Sequence, residues 1–182
     1  MDDPILRNAH RMRLLYDADS IARRVRELAA EIDALYKDEP LVMICVLKGA
    51  FMFFSDLVKN LTISPELDFV RLSSYGSQTT SSRSVSFTKD VESPLTDRHV
   101  LVIEDIVDSG RTMDFLLRQL SARGPRSLRL AALLDKKERR EVPVFAHFVG
   151  FALPAGFIVG YGLDYAEHFR ALPALYEIPC GE

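Results

Sequence analysis

The sequence predicts an α/β protein with a mostly parallel central sheet flanked by helices. Two observations predict this class: strand-length apolar runs alternate with helix-period segments, and the strongest run is apolar at every position, as in a parallel strand covered on both faces. A third observation places the site. One apolar run ends in consecutive acids, and a glycine-containing turn then opens a helix, which locates ligand chemistry at the carboxyl ends of the strands.

The elements follow in order. From Asp17 to Tyr36, the apolar residues Ile21, Val25, Leu28, Ile32 and Leu35 recur every three or four positions, with Asp19 or Ser20 placed to cap the start. After Asp38-Glu39-Pro40 comes LVMICVL, a buried strand, and Gly49 turns the chain into a second helix from Ala50 to Asn60. Residues 67–73 alternate as a strand and lead into SSYGSQTTSSRS at 73–84, which has no apolar period and reads as a mobile loop. A strand at 99–103, a helix from about Thr112 to Arg123, a strand at 128–134 and β-like runs at 144–151 and 157–161 complete the alternation.

The 182 residues suit one domain, 1–182, burying roughly 70% of the surface the unfolded chain exposes. With 48% hydrophobic and 27% charged residues, the composition excludes a disordered or fibrous protein. A net charge of -3 supplies no overall attraction to nucleic acid or anionic membranes, so a small-molecule partner is expected. The longest apolar run, Leu41 to Leu47, is too short to span a bilayer, and the acidic start MDDPILRNAH lacks the apolar length of a signal peptide. Cys45 and Cys180 lie far apart, without metal-ligand or disulfide spacing, which fits a reducing cytoplasm.

The chemistry concentrates in VLVIEDIVDSGRT at 100–112. Glu104 and Asp105 are expected at the carboxyl end of a buried strand. Gly110 permits close backbone approach, and the N–H groups of Ser109, Gly110, Arg111 and Thr112 sit at a helix N-terminus, where orphan donors and the dipole favour a phosphate. Three acids beside a phosphate nest call for a cation. The alternative is that Asp108 and Ser109 only cap the helix while Glu104 and Asp105 face solvent. Neither G-x-G-x-x-G nor G-x-x-x-x-G-K-[ST] occurs, so a dinucleotide fold or P-loop is unsupported.

An acidic pair at a strand end followed by this turn resembles the phosphoribosyl-diphosphate (PRPP) signature of the type I phosphoribosyltransferases. Three further stretches narrow the resemblance to the hypoxanthine-guanine phosphoribosyltransferase family, collinearly from about Val42 to Pro173. VLKGAF at 46–51 resembles the diphosphate loop, with the Lys48-Gly49 peptide expected cis and its backbone facing the leaving group. RLSSYGS, through Ser74 and Tyr75, resembles the start of a closing lid over about 73–88. LLDKKERR and GFIVGYGLDYAEHFRALP resemble the base-binding block.

The resemblance implies a type I fold with a small hood subdomain built from the N- and C-terminal segments and a flexible lid. It implies Mg²⁺ held by Glu104, Asp105 and Asp164, and diphosphate contacts from Lys48, Gly49 and Arg170, with Arg140 a weaker candidate. It places Lys136 on the O6 of a 6-oxopurine, Phe157 stacked on the base, Ile158 and Asp164 at the purine edge, and Asp108 as the proton acceptor. PRPP and a 6-oxopurine are the implied partners, in a homodimer or homotetramer. The sequence departs from the family at Ala155-Gly156, before the stacking aromatic, which bears on the choice among purines. A sibling transferase for xanthine, adenine or orotate, and a non-catalytic sensor of PRPP or nucleotides on the same fold, are the alternatives.

Overall fold

The computed structural model describes residues 11–75 and 84–179. Its elements are β1 (Arg13–Tyr16), α1 (Ala18–Tyr36), β2 (Leu41–Leu47), α2 (Phe51–Asn60), β3 (Glu66–Tyr75), β4 (Ser84–Lys89), β5 (His99–Val107), α3 (Arg111–Ser121), β6 (Ser127–Lys136), β7 (Phe148–Leu153), β8 (Phe157–Val159) and β9 (Leu175–Ile178).

Six strands form the main sheet in the order β4-β3-β2-β5-β6-β7. All pairings are parallel except β3 with the edge strand β4. Strand β2 shows why. Leu41, Met43 and Cys45 face a core shared with α1 and α2, whereas Val42, Ile44 and Val46 face a second core shared with α3. Each buried Leu, Ile or Val contributes about 1.5–3 kcal/mol relative to exposure, so a strand apolar on both faces is stable only between two helical layers.

The same period-two division runs through β5, where Leu101 and Ile103 join the first core and Val100 and Val102 the second. Helix α1 presents Ile21, Val25, Leu28, Ala29, Ile32 and Tyr36 to the first core. Its cap is Asp17, whose carboxylate accepts from the Ser20 N–H at 2.8 Å, so the expected Asp19 or Ser20 lies one turn too far in. Leu35 remains 44% exposed and Tyr36 is buried in its place, because the stripe of a 3.6-residue helix drifts past position 35.

Two boundaries differ in ways that matter for the site. Strand β5 continues through Glu104 and Asp105 to Val107, pairing Glu104 with Ala132 and Val107 with Asp135. The polar stretch expected as loop from Ser73 and again near Ser84 belongs partly to an antiparallel ladder, with Ser73 opposite Ser86 and Tyr75 opposite Ser84. In β4 only Val85 and Phe87 alternate with polar residues, and Phe87 packs on the second core, so the apolar period spans a single repeat beside the polar run that precedes it. Residues 76–83 of the expected lid lie outside the described residues.

Between β4 and β5 the chain is tied to the sheet by buried Asp68, which accepts from the N–H groups of Glu92 and Ser93, both at 2.8 Å, and of Phe69 at 2.6 Å. Burial alone raises its pKa, but these backbone donors outweigh burial and hold the carboxyl below its ordinary 3.8. A depressed folded pKa contributes stability above 3.8 that is lost as pH falls through the folded value. Asp68→Asn is therefore expected to lower stability by about 1.5–3 kcal/mol at neutral pH, a deficit that shrinks with acidification. Urea midpoints measured across pH check both the size and the direction.

The N- and C-terminal segments meet in a second sheet, β1-β9-β8, antiparallel throughout. Beyond β8, residues 160–172 fold back over the main sheet: Tyr161 N–H donates to the Leu172 carbonyl at 2.8 Å and Gly162 N–H to that of Arg170 at 3.0 Å. The buried Tyr161 hydroxyl donates to Asp56 of α2 at 2.7 Å, pinning this segment against the main body.

Candidate active site

The order in which strands are added to the sheet reverses at β2. The chain proceeds from β2 to β3 on one side of the sheet and to β5 and β6 on the other, so a crevice opens beyond the carboxyl ends of β2 and β5. The ends of β2, β5 and β6 deliver Lys48 and Gly49, then Glu104 to Asp108, then Lys136, while β8 and residues 160–170 roof the crevice. A cavity of about 330 Å³ is lined by Asp105, Asp108, Lys136, Phe157, Ile158 and Asp164, among others. A second, of about 150 Å³, is walled by Glu104, Asp108, Ser109, Gly110 and Thr112. The two share Ile106 and Asp108.

The smaller cavity lies at the N-terminus of α3. Gly110 has φ +83, and a Cβ there would stand 2.3 Å from the Val142 carbonyl, so only glycine fits. The N–H groups of Glu141 and Val142 both donate to Ser109 O, at 2.9 and 3.0 Å, locking the turn from behind. Arg111 turns outward to pair with Glu141, leaving its backbone at the helix start.

Arg140, the weaker diphosphate candidate, points inward. It donates to the carbonyls of Val107, Asp108, Lys136 and Val144 and to the Asp135 carboxylate, all between 2.5 and 3.2 Å. Its guanidinium is consumed in positioning the Asp108 backbone and the end of β6. Nothing in the basic run KKERR distinguishes this arginine from Arg139, which lines the cavity instead, because a sequence does not show which side chain of a turn faces in.

Two carboxylate oxygens of the site lack partners. Glu104 keeps some exposed surface as a residue, yet its Oε2 is buried with no hydrogen-bond partner, as is Asp108 Oδ1. Burial, then the Asp105 charge, raises the Glu104 pKa well above its usual range. Burial, then Glu104 and Asp105, lifts the nearby Cys45 thiol to about 12, leaving it inert. Asp105 accepts from Ile106 N–H at 2.7 Å, and its carboxylate packs on the Gly49 α-carbon, where a Cβ would meet Oδ2 at 1.6 Å.

Among the described residues no group of three or more His, Cys, Asp or Glu is assembled to hold a metal unaided. Asp164 is engaged with Arg170 at 2.8 Å and with the Glu167 N–H at 2.8 Å. The unpartnered oxygens nonetheless suit a hard cation that completes its shell with substrate oxygens, the usual manner of Mg²⁺, which is held by one or two carboxylates plus phosphates.

On the opposite wall Lys136 is only 5% exposed; its Nζ donates to Gly156 O at 3.0 Å and lies 3.3 Å from Asp108 Oδ2. Ile158 is buried, and the Phe157 ring meets Tyr165 edge to face with centroids 5.4 Å apart. The departure at Ala155-Gly156 has a local cause: Gly156 has φ +110, and a Cβ there would strike the Glu177 carboxylate at 2.4 Å.

Lys48 and Arg170 do converge, through Glu167. Lys48 Nζ lies 2.9 Å from both Glu167 oxygens, and Arg170 Nη2 is 3.3 Å from Oε2. The Lys48 ammonium, with Arg170 adding to it, holds the Glu167 carboxyl below its ordinary range. Glu167 escaped the sequence reading, although an acid between Asp164 and Arg170 in one short turn was a usable signal. The cis peptide lies at Leu47–Lys48, one bond before the expected Lys48-Gly49. Cis bonds are disfavoured at every non-proline pair, so sequence alone does not locate one to the residue. Ser74 and Tyr75 end β3, and their side chains lie outside the described residues.

A switch-point crevice with an acidic strand end, a phosphate nest and a buried lysine is the arrangement of one enzyme class. The chain matches the phosphoribosyl transferase domain over residues 14–166 and belongs to that family. Within it, the chain is 40% identical over 171 residues to the hypoxanthine phosphoribosyltransferase of Escherichia coli K12, covering 93% of this chain and 96% of that one. It is 43% identical over 161 residues to the hypoxanthine-guanine phosphoribosyltransferase of Bacillus subtilis 168, covering 88% and 89%. A crystal structure of a Bacillus anthracis hypoxanthine-guanine phosphoribosyltransferase superposes with a TM-score of 0.85 at 40% identity, covering 91% of this chain and 97% of that one. A Staphylococcus aureus hypoxanthine phosphoribosyltransferase superposes with a TM-score of 0.87 at 38% identity, covering 91% and 90%. The fold is that of these enzymes.

Proposed function

We propose that the chain is a purine-salvage enzyme that transfers the phosphoribosyl group of PRPP to N9 of hypoxanthine or guanine, giving IMP or GMP and diphosphate. The observation that carries this reading is Lys136, buried between Gly156 O and Asp108 on the wall that also holds Phe157 and Ile158. A lysine only donates, so it selects a purine bearing O6 over the amino group of adenine, and an aromatic face contributes about 1–3 kcal/mol per stacked base.

In this reading the 5-phosphate sits on the turn from Asp108 to Thr112, and the ribose hydroxyls face Glu104 and Asp105. The Lys48-Gly49 backbone and Arg170 hold the diphosphate. Ile158 and Asp164 face the purine edge through backbone groups, and Ser74 and Tyr75 begin a lid over 73–88 that excludes water. The C1–O bond to diphosphate breaks, the C1–N9 bond forms, and the proton lost from N7 passes to Asp108. Glu104, Asp105 and Asp164, together with oxygens of PRPP, would hold Mg²⁺, which would supply charge neutralisation at the leaving diphosphate.

The whole of 1–182 acts as one domain with the terminal segments as its hood, in the cytoplasm and as a homodimer or homotetramer. Phe51, 40% exposed beside an open apolar groove on α2, supports self-association. Among the described residues no helix is long and apolar enough to cross a membrane.

The test incubates purified protein, PRPP and Mg²⁺ with hypoxanthine, guanine, xanthine, adenine and orotate in turn, following nucleotide formation by absorbance. Transfer to hypoxanthine or guanine supports the proposal; no nucleotide with any base favours a sensor. Lys136→Gln is expected to erode discrimination between oxo- and aminopurines by roughly tenfold or more, since it offers an acceptor as well as a donor. Unchanged rejection of adenine would refute the O6 contact.

A further inference from the structure

Glu167 has no part in the transfer as proposed, yet it occupies the centre of the diphosphate subsite. Both its oxygens stand 2.9 Å from Lys48 Nζ, and Oε2 also accepts from Arg170. Burial does not force this arrangement, because the Glu167 side chain is 63% exposed and that of Lys48 45%. Exposed ion pairs are individually weak, and such long side chains ordinarily stay loose in water.

The turn nevertheless aims the carboxylate there at a conformational cost. Ala166, Glu167 and Phe169 all hold left-handed backbone, with φ of 49, 68 and 75. Non-glycine residues persist in that region only where surrounding contacts impose it, and such clusters mark ligand clamps. Here the contacts are the Glu167 N–H to Asp164 at 2.8 Å and the paired backbone bonds between Tyr165 and His168. The result is a carboxylate presented to Lys48 and, beside Asp164 at 2.8 Å from the same nitrogen, to Arg170, as the charged oxygens of a diphosphate would be.

We infer that Glu167 is an internal stand-in for the diphosphate: it satisfies Lys48 and Arg170 when the subsite holds no ligand and is displaced when diphosphate binds. This rests on the reading of the Lys48-Gly49 loop and Arg170 as the diphosphate site, and adds the Lys48 ammonium to that site. The stand-in weakens binding of PRPP and of the product diphosphate by the same competition, and its return to Lys48 and Arg170 accompanies product release. An anion with no affinity for those cations gains nothing from its removal.

Calorimetric titration of the full chain with pyrophosphate in the presence of Mg²⁺ tests this, alongside the KM for PRPP. Glu167→Gln is expected to tighten pyrophosphate binding roughly three- to tenfold and to lower the KM for PRPP similarly, the scale of losing weak surface ion pairs. Glu167→Asp keeps the charge on a side chain one methylene too short to span both cations, and aspartate tolerates left-handed backbone. It is also expected to tighten binding, and it carries the test if the Gln variant is unfolded by circular dichroism. Unchanged or weaker binding in the folded variants overturns the inference. Tightening by Gln with Asp behaving as the parent also overturns it, leaving only a diffuse negative field. Lys48→Ala separates the two: if it binds pyrophosphate as tightly as the parent, the Lys48 ammonium is no diphosphate ligand and the inference falls, while the backbone reading of the Lys48-Gly49 loop stands.

Discussion

Asp108→Asn is expected to lower turnover with hypoxanthine and guanine by about 10²–10⁴-fold, the usual contribution of a positioned general base. The amide preserves the shape of the side chain and removes its capacity to take the N7 proton. The surrounding turn does not depend on that carboxylate, since Arg140 and the backbone of Glu141 and Val142 hold it through main-chain carbonyls of Asp108 and Ser109. The fold is therefore expected to persist, with a lower melting temperature because buried Lys136 loses its anionic partner. Steady-state turnover at saturating PRPP, with circular dichroism as the control, decides the matter; activity within a few-fold of the parent would assign the proton elsewhere. Asp108 Oδ2 stands 3.3 Å from Lys136 Nζ, so the same variant also loosens the lysine proposed to read O6, and some loss of base discrimination should accompany the loss of rate.

Gly49→Ala is expected to be comparably severe for a different reason. The added Cβ would fall 1.6 Å from Asp105 Oδ2, and the Gly49 carbonyl is itself pressed by Gly162, where a Cβ would stand 2.1 Å away. The atoms nearest the added Cβ all belong to the Asp105 side chain, so the substitution is accommodated only by turning this carboxylate out of its place. Overpacking of this kind costs about 1–3 kcal/mol of stability, and the displaced carboxylate should reduce turnover by at least about 10²-fold, as ångström-scale misplacement does. Thermal melting and turnover measured together check both parts. Loss of activity with an unchanged melting temperature would mean that Asp105 moves freely, and retention of activity would mean that its position is immaterial.

Legibility followed the range of the interactions. The strands β2, β5 and β6 were readable because burial on two faces demands an uninterrupted apolar run, and α1 because a helix under one sheet face needs its stripe. The phosphate turn was readable because glycine, a helix start and an acidic strand end are all local in sequence. Strand β4 was not, since its alternation of Val85 and Phe87 with polar residues spans a single repeat. The inward turn of Arg140, the Gly49–Asp105 contact and the grip of Glu167 on Lys48 all join residues distant along the chain or faces that composition does not distinguish.

The sequence by itself determined the α/β class, the parallel core and the identity of the residues from Glu104 to Thr112 that one strand and one turn present together. Only the tertiary structure decided that Lys136, Phe157, Ile158 and Asp164 face the same cavity as Asp108, and that Lys48 and Arg170 share an acid between them. The physical reason is the reversal of winding at β2. It brings the ends of separate strands to one crevice, and that convergence depends on sheet order and backbone register rather than on the character of any one segment.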